Sequence, residues 1–199
     1  MSYEKFNAGD TAIVLIDHQL GTMSWVRSIP FDQMKRNALL LAKAAKILKM
    51  PVVLTSSMEE YMQGPLLSEL ADILPEAFAA RVKRFGIVNS MEDPNFAAAV
   101  KATGRKNLLI AGVTNDVCTI FPALHAVKEG YNVQVAADAG GSPTNIADDV
   151  ALRRMAQSGV TVTTTVQAIA ELTGDWSTPE GGELVQAVVG AIQELLQSA

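Results

Sequence analysis

Short apolar runs alternate with longer amphipathic segments along this chain of 199 residues. The run Thr11–Ile16 (T-A-I-V-L-I) is apolar on both faces, as a central strand of a parallel sheet is. Segment 31–50 instead repeats its apolar residues at helical spacing. Strand and helix alternating in this way predict an α/β fold, with helices in two layers around a doubly wound, mostly parallel sheet.

The same pattern sets the expected element boundaries. Strands are expected at 11–16, 52–55, 80–84, 107–111, 131–136 and 160–164. Helices are expected at 31–50, 95–103, 117–129, 147–157 and about 180–197. Because we find no repeat, linker or low-complexity stretch, residues 1–199 are expected to form a single domain. The last helix has an apolar stripe suited to pack either on its own core or on another subunit.

Composition narrows the classes of partner. A formal net charge of −5 with scattered basic residues argues against nucleic acid. No segment approaches the ~20 apolar residues of a membrane span. One cysteine cannot form an internal disulfide, and residues 1–10 lack the apolar core of a signal peptide. We therefore expect a cytoplasmic protein that acts on a small molecule, with neither nucleic acid nor membrane as partner.

Metal and cofactor sites are also not indicated. Two histidines and one cysteine are too few for an ordinary structural zinc site. The chain has neither a G-x-G-x-x-G fingerprint nor a P-loop, so a nucleotide-binding protein is a weak alternative. We expect no metal and no cofactor.

Three chemically active positions follow predicted strands. Asp17 follows the first strand, Lys83 and Arg84 end the third, and Cys118 follows the fourth. Ligands of such sheets bind beyond the carboxyl ends of the strands, near the point where strand order reverses. We therefore expect these side chains to lie close together.

This set of residues suits nucleophilic catalysis. A thiol attacks as thiolate, and a helix N-terminus and a nearby cation both lower its pKa from about 8.5. With a helix starting at residue 117, we expect Cys118 to have a lowered pKa and to react rapidly at neutral pH. Asp17 could take up and return the proton, and backbone N–H groups of 112–116 could hold an oxyanion.

Ordinary structural roles explain the same residues separately. A lone cysteine usually packs as a small apolar residue, and an aspartate after a strand often forms a turn or a helix cap. Lysine and arginine are mostly solvated at the surface. From the residues alone, the catalytic and the structural interpretations stay open.

A family resemblance favours the catalytic interpretation. The string L-L-I-A-G-V-T-N-D-V-C-T at 108–119 and V-L-I-D-H-Q at 14–19 resemble the isochorismatase-like cysteine hydrolase superfamily. The segment F-P-A-L-H-A at 121–126 is similar to its YcaC-like branch, a group of octameric hydrolases of unknown specificity. The resemblance covers about residues 12–172. It implies an isochorismatase-like, Rossmann-like fold and a homo-oligomer, with an octamer as the model.

The resemblance also implies a catalytic triad. Asp17 would be the general base and acid, and Cys118 the nucleophile. The basic member would be Lys83, the residue type usual in the superfamily, or Arg84, which fits the arginine-x-glycine pattern of the YcaC-like branch. Adjacent strand residues point to opposite faces, so only one of them should enter the site; we favour Arg84 and keep Lys83 as the alternative.

Further site features follow from the same resemblance. A cis peptide is expected between Val113 and Thr114, with the N–H groups of Thr114 and Cys118 forming an oxyanion hole. Nicotinamidases of the superfamily bind a metal through histidines after strand two, but segment 54–60 has none. The resemblance therefore implies no metal. Candidate pocket-wall residues are Gln19, Trp25 and Phe121.

The sequence thus predicts a metal-independent cysteine hydrolase that cleaves a small amide or carbamoyl-type C–N bond through a covalent Cys118 intermediate. One alternative is a vinyl-ether hydrolase of the isochorismate type, which does not need the cysteine nucleophile. Another is a catalytically silent binding or assembly protein of the same fold, with Cys118 as a redox-sensitive thiol.

Overall fold

The structure, a computed structural model, describes residues 5–197, with side chains to residue 196. Residues 1–4 and 198–199, which the predicted domain includes, lie outside the described residues. The described strands form a parallel sheet in the order β3-β2-β1-β4-β5-β6. They are β1 (Thr11–Ile16), β2 (Val52–Ser57), β3 (Val82–Arg84), β4 (Asn107–Gly112), β5 (Asn132–Ala136) and β6 (Thr161–Thr163). The predicted α/β fold with a parallel sheet is confirmed.

Helices connect the strands and follow the last one. The α-helices are α1 (Leu20–Ser24), α2 (Phe31–Ile47), α3 (Glu69–Ile73), α4 (Pro75–Ala79), α5 (Pro94–Ala102), α6 (Ile120–Lys128), α7 (Asn145–Gln157), α8 (Thr165–Thr173) and α9 (Pro179–Gln197). Short 3₁₀ turns span Ser90–Glu92 and Ala137–Ala139, and a π-helical turn spans Asn115–Thr119. Between residues 5 and 197, no helix is both long and apolar enough to cross a bilayer.

Two elements differ from the sequence expectation. Helix α8 was not predicted, because it follows β6 after a single residue and begins in a β-branched run, T-T-T-V at 163–166, that reads as a strand. The helix predicted over 117–129 begins instead as the π-helical turn and becomes α-helical at Ile120. The hydrogen bonds of a π turn join residues five positions apart, one more than in an α-helix. Hydrophobic periodicity does not distinguish the two over so short a segment.

The sheet separates two apolar clusters. Ile13 and Leu15 of β1 face the cluster that contains buried residues of α2, α8 and α9. Val14 and Ile16 face the opposite cluster, which contains residues of α5, α6 and α7. Because successive strand residues point to opposite faces, β1 fills both cores at once. Each such fully buried aliphatic side chain contributes about 1.5–3 kcal/mol of burial free energy.

The strand order creates a crevice at the centre of the sheet. β1 and β4 are neighbours, paired in register from Thr11 with Asn107 to Ile16 with Gly112. From β1 the chain proceeds to β2 and β3 on one side, whereas β4 leads to β5 and β6 on the other. The connections therefore diverge beyond the carboxyl ends of β1 and β4, and this is where the fold leaves room for a ligand.

Candidate active site

Asp17 lies at this crevice because the chain turns sharply at the end of β1. Its backbone adopts the left-handed conformation, with φ of 56°. Aspartate tolerates this conformation better than β-branched or bulky residues do. The Asp17 N–H still donates to the Thr55 carbonyl of β2 at 3.0 Å. The side chain is 1% exposed, so its carboxylate needs a partner inside the protein.

Arg84 of β3 is that partner. Its Nη2 lies 2.6 Å from both carboxylate oxygens of Asp17. Nε donates to Thr55 Oγ1 at 2.9 Å, and Nη1 donates to the Ile87 carbonyl at 2.9 Å. The guanidinium is as buried as the carboxylate. A buried ion pair persists when hydrogen bonds satisfy its remaining groups, as they do here.

Lys83 lies outside this cluster, which corrects its place as an alternative basic member. Its side chain is 57% exposed, and Nζ lies 2.9 Å from Glu59 Oε2. Strand alternation turns it away from Arg84. Glu59 also binds Arg81 through two guanidinium nitrogens. The Arg81 hydrogen bonds are the main cause that lowers the pKa of Glu59 to about 2, so Lys83 has an ionised partner of its own.

Cys118 is in the π-helical turn that follows β4. Its thiol lies close enough to the Asp17 carboxylate for each group to shift the pKa of the other. The Thr114 backbone N–H is directed at the Cys118 sulfur. The Val113–Thr114 peptide bond is cis, and the Val113 N–H donates to the Ile16 carbonyl at 3.0 Å. The structure therefore brings Asp17, Arg84, Cys118 and the Thr114 N–H together at one point.

The protonation of the thiol differs from the sequence expectation. Burial raises the pKa of Cys118 above its ordinary value, and the Asp17 charge and hydrogen bond raise it further. The Thr114 N–H and the Arg84 charge act in the opposite direction but are smaller. The expectation of a lowered pKa was wrong, because it counted the cation and the helix terminus but neither the burial of the thiol, which is the largest cause, nor the charge of the Asp17 carboxylate. The resting group is a thiol.

Asp17 is suited to accept the proton of that thiol. Burial raises the pKa of Asp17, and the Arg84 charge and hydrogen bonds oppose the rise. Arginine cannot lose its proton in proteins, so a neutral Asp17 would leave a buried cation unpaired. The pair is therefore ionised at rest. Because burial raises the pKa of Asp17, its carboxylate is a stronger base than that of a solvent-exposed aspartate.

A polar network behind the cysteine turn was not foreseen. Asn115 is fully buried, and its Nδ2 donates to Asp148 Oδ1 at 3.0 Å and to the Ala137 carbonyl at 3.1 Å. Ser142 Oγ donates to the same Asp148 oxygen at 2.8 Å. At Gly140, a Cβ would lie 2.3 Å from the Gly112 carbonyl oxygen. The G-G-S run at 140–142 was the available signal of this close approach.

Thr55 was also missed. Its hydroxyl accepts from Arg84 Nε and donates to the Val82 carbonyl at 2.7 Å, which fixes the guanidinium plane. In the sequence, it is the first polar residue of the β2 run V-V-L-T-S-S. Its pairing with Ile16, one residue before Asp17, becomes visible only with the strand register.

The predicted pocket-wall residues have mixed positions. Gln19 is fully buried, and its carboxamide exchanges hydrogen bonds with Ser57 and donates to the Gly64 carbonyl at 2.5 Å. It clamps two loops together, so its assignment as a pocket wall is corrected. Trp25 is exposed after α1, and Phe121 packs on the second apolar cluster beneath Arg154. Pocket roles for these two aromatic residues stay predictions.

The remaining titratable groups near the crevice do not form a ligand set. His18 is fully buried, its Nε2 donates to the Ala139 carbonyl at 2.7 Å, and burial lowers its pKa to about 4. It is therefore neutral at pH 7. Within the part of the chain that the structure describes, no three His, Cys, Asp or Glu side chains are grouped so that they could hold a metal ion.

Adjacent substitutions in β3 test the assignment of the buried cation. Arg84→Met should lower the free energy of unfolding by about 3–5 kcal/mol, because it leaves Asp17 buried without its partner. Lys83→Met should lower it by at most about 1 kcal/mol, since its ion pair is at the surface. Urea denaturation of the two variants measures the difference, and equal losses would contradict the assignment.

Comparison with known proteins agrees with this geometry. The isochorismatase domain model matches residues 11–167. The probable hydrolase YcaC of Escherichia coli (strain K12) is 40% identical over 174 residues, which are 87% of this chain and 83% of that protein.

Solved structures extend the similarity to the whole chain. YcaC from Pseudomonas aeruginosa, solved with hexane-2,5-diol and covalent acrylamide, superposes with a TM-score of 0.91 at 36% identity, covering 100% of this chain and 98% of that one. The Escherichia coli YcaC gene product, described as an octameric hydrolase of unknown specificity, superposes with a TM-score of 0.91 at 38% identity, covering 100% and 97%. The chain therefore belongs to the isochorismatase family, within its YcaC-like branch of hydrolases.

Proposed function

We propose that the protein is a metal-independent cysteine hydrolase that cleaves a small amide or carbamoyl-type C–N bond. The observation that supports this most directly is the position of the Cys118 thiol beside the Asp17 carboxylate, close enough for each group to shift the pKa of the other. This places a nucleophile beside a base inside the crevice, with Arg84 fixing the base by two contacts of 2.6 Å. Nucleophile, base and orienting group are the three parts that thiol catalysis needs.

The first half-reaction forms an acyl enzyme. As the Cys118 sulfur attacks the carbonyl carbon, Asp17 accepts the thiol proton, so a separate thiolate is not required. The carbonyl oxygen becomes an oxyanion, which the N–H groups of Thr114 and Cys118 stabilise. The C–N bond then breaks, and Asp17 returns the proton to the leaving nitrogen. A thioester on Cys118 and a free amine result.

The second half-reaction releases the acid. Asp17, again a carboxylate, takes a proton from a water molecule that attacks the thioester carbon. The C–S bond breaks, and the proton passes from Asp17 to the Cys118 sulfur. Arg84 keeps its proton throughout, so its part is electrostatic.

A relative supports a reactive nucleophile in this branch, since acrylamide is attacked at its vinyl carbon and its amide bond stays intact. The Pseudomonas aeruginosa YcaC structure contains covalent acrylamide, so a protein 36% identical to this chain holds a small amide in covalent form. The present chain has one cysteine, and it lies beside the base. We infer that this thiol forms the covalent bond here.

The acyl enzyme can be trapped on the single thiol. With an amide substrate found by library screening, rapid acid quenching followed by mass spectrometry should detect the acyl group on Cys118. The Cys118→Ser variant should form no thioester, and its turnover should fall by a factor of about 10³ or more, because the substitution removes a catalytic nucleophile. Amide hydrolysis at the wild-type rate by this variant would refute the proposal.

Asp17→Asn should change the pKa of the Cys118 thiol and the rate of hydrolysis in opposite senses: the thiol becomes more acidic, but hydrolysis becomes slower. The variant should lower the pKa of Cys118 by about 1 to 3, because it removes a carboxylate charge in contact with the sulfur. It should nevertheless slow hydrolysis about 10²- to 10⁴-fold, because the base is lost. Ultraviolet absorbance of the thiolate against pH, with Cys118→Ser as the blank, measures the pKa. An unchanged or higher pKa would contradict the assigned contact.

We also propose that the protein is a homo-oligomer, with the octameric Escherichia coli YcaC as the model. Helix α9 supports this, because Val189, Ile192 and Leu196 are exposed along it. Light scattering should give a mass several times 21.2 kDa, and eight times for an octamer. Ile192→Glu should reduce that mass if α9 forms a subunit contact. A monomeric wild-type protein would refute the proposal.

A further inference from the structure

The loops at the carboxyl edge of the sheet have an unusual charge distribution. We define the carboxyl-edge loops as residues 17–30, 58–68, 85–93, 113–119 and 137–144, which follow β1 to β5. They contain no lysine and one arginine, Arg27. Their acidic residues are Asp17, Glu59, Glu60, Glu92, Asp93, Asp116 and Asp138. Because opposite charge draws a ligand to a site, this edge of the molecule does not attract anions.

The cations at this edge are engaged: Arg81 and Lys83 bind Glu59, and Arg84 and Arg27 have internal acceptors. Arg84 directs Nε, Nη1 and Nη2 at Thr55, Ile87 and Asp17, as described above. Arg27 donates from Nη1 to the carbonyls of Ser24 and Val26, at 2.6 and 2.7 Å, and so closes its own turn. A substrate carboxylate would have to compete with these internal acceptors.

The two charges that act on the Cys118 thiol also nearly cancel each other. Among residues 5–197, Asp17 and Arg84 are the charged groups that act on the Cys118 thiol. Their charges are opposite and in contact, so the pair adds little net attraction for a third charge. Binding an anion beside them would place it near the Asp17 carboxylate without a cation of its own, which is unfavourable in a buried site.

Exposed large apolar side chains occur close in sequence to the three site residues Asp17, Arg84 and Cys118. We define the apolar rim as the five of these that lie within four positions of one site residue along the chain: Leu20, Phe85, Ile87, Val88 and Val117. Val117 precedes Cys118 directly, and the Ile87 carbonyl is bound by Arg84. The Phe85 ring contacts the ring of Tyr61 from the loop after β2, at 6.0 Å between centroids. Such a rim favours apolar groups and opposes the loss of water from a carboxylate.

From these observations we propose that the substrates are small uncharged amides whose acyl group is apolar and has no carboxylate. This inference rests on the proposed function, since it names the substrate class of the same thiol. It distinguishes the protein from a hydrolase built for an anionic substrate, in which a free arginine or lysine would face the site to pair with the carboxylate.

A matched pair of reagents tests the charge preference without any turnover. Iodoacetamide and iodoacetate alkylate the same sulfur and differ in one negative charge. Since Cys118 is the sole cysteine, mass spectrometry of the intact chain reports its modification alone. The rate ratio of amide to acetate should be at least about 10-fold higher for the folded protein than for the chain in urea. The assay is run at about 0.15 M salt, where a Debye length of about 8 Å screens distant charges more than charges near the thiol.

A folded-state ratio equal to or below that of the unfolded chain would overturn the inference. A high ratio together with no hydrolysis of any amide would leave the inference on charge intact and refute the proposed function. The two failures are therefore distinguishable.

A charge placed on the apolar rim gives a second measurement. Phe85 is 73% exposed, so Phe85→Lys should fold and should lower the ratio at least about 3-fold by attracting iodoacetate. The matched control is Ala98→Lys on α5, which adds the same charge in a cleft lined by Lys101, Lys106 and Tyr131. It should leave the ratio unchanged. Equal effects of the two variants would contradict a role for the apolar rim.

Discussion

The buried ion pair between Asp17 and Arg84 is the interaction on which the site depends. Removing two charges from water is costly, and their attraction offsets this only when the remaining hydrogen-bonding groups are satisfied. Thr55 and the Ile87 carbonyl satisfy the guanidinium, and the Cys118 thiol lies beside the carboxylate. Each neighbour of the pair therefore has a structural reason to be where the chemistry needs it.

The pair also determines how the thiol can be used. Burial and the neighbouring Asp17 carboxylate raise the pKa of Cys118, so the resting group is a thiol and not a thiolate. Beside the thiol lies a base, the Asp17 carboxylate, whose own pKa is raised by burial. In the proposed mechanism, proton transfer accompanies bond formation, and the thiol becomes nucleophilic only when a substrate carbonyl is in position. Such a thiol is also less exposed to unspecific oxidation than a free thiolate, because the thiolate is the reactive form.

Much of the fold could be predicted from local patterns. Apolar runs such as Thr11–Ile16 and Asn107–Gly112 have the composition of central strands, and their carboxyl ends point to the ligand side of the sheet. The choice of Arg84 over Lys83 rested on strand alternation and on a family pattern, and the structure brings only Arg84 to Asp17. The resemblance to isochorismatase-like proteins supplied the cysteine motif, which composition alone left open.

What could not be predicted depends on contacts between distant segments. The pKa of Cys118 required the contact with Asp17, about 100 positions away, and a helix-terminus argument gave the wrong sign. Gln19 was a candidate pocket-wall residue, yet its carboxamide is bound by the end of β2 and by the loop that follows it. The π-helical form of Asn115–Thr119 depends on Asp148 and Gly140, which approach it only in the folded chain.

The position of Arg84 in β3 has a consequence for solubility. β3 has three residues and lies at the open edge of the sheet, where an unpaired strand can join another chain. The Arg84 guanidinium reaches across β2 to Asp17 at the end of β1. Its side-chain hydrogen bonds therefore tie the edge strand β3 to the centre of the sheet. A chain with a damaged ion pair would release that margin, and intermolecular strand pairing would then compete with refolding. Selection against aggregation can thus preserve the same arginine that the chemistry uses.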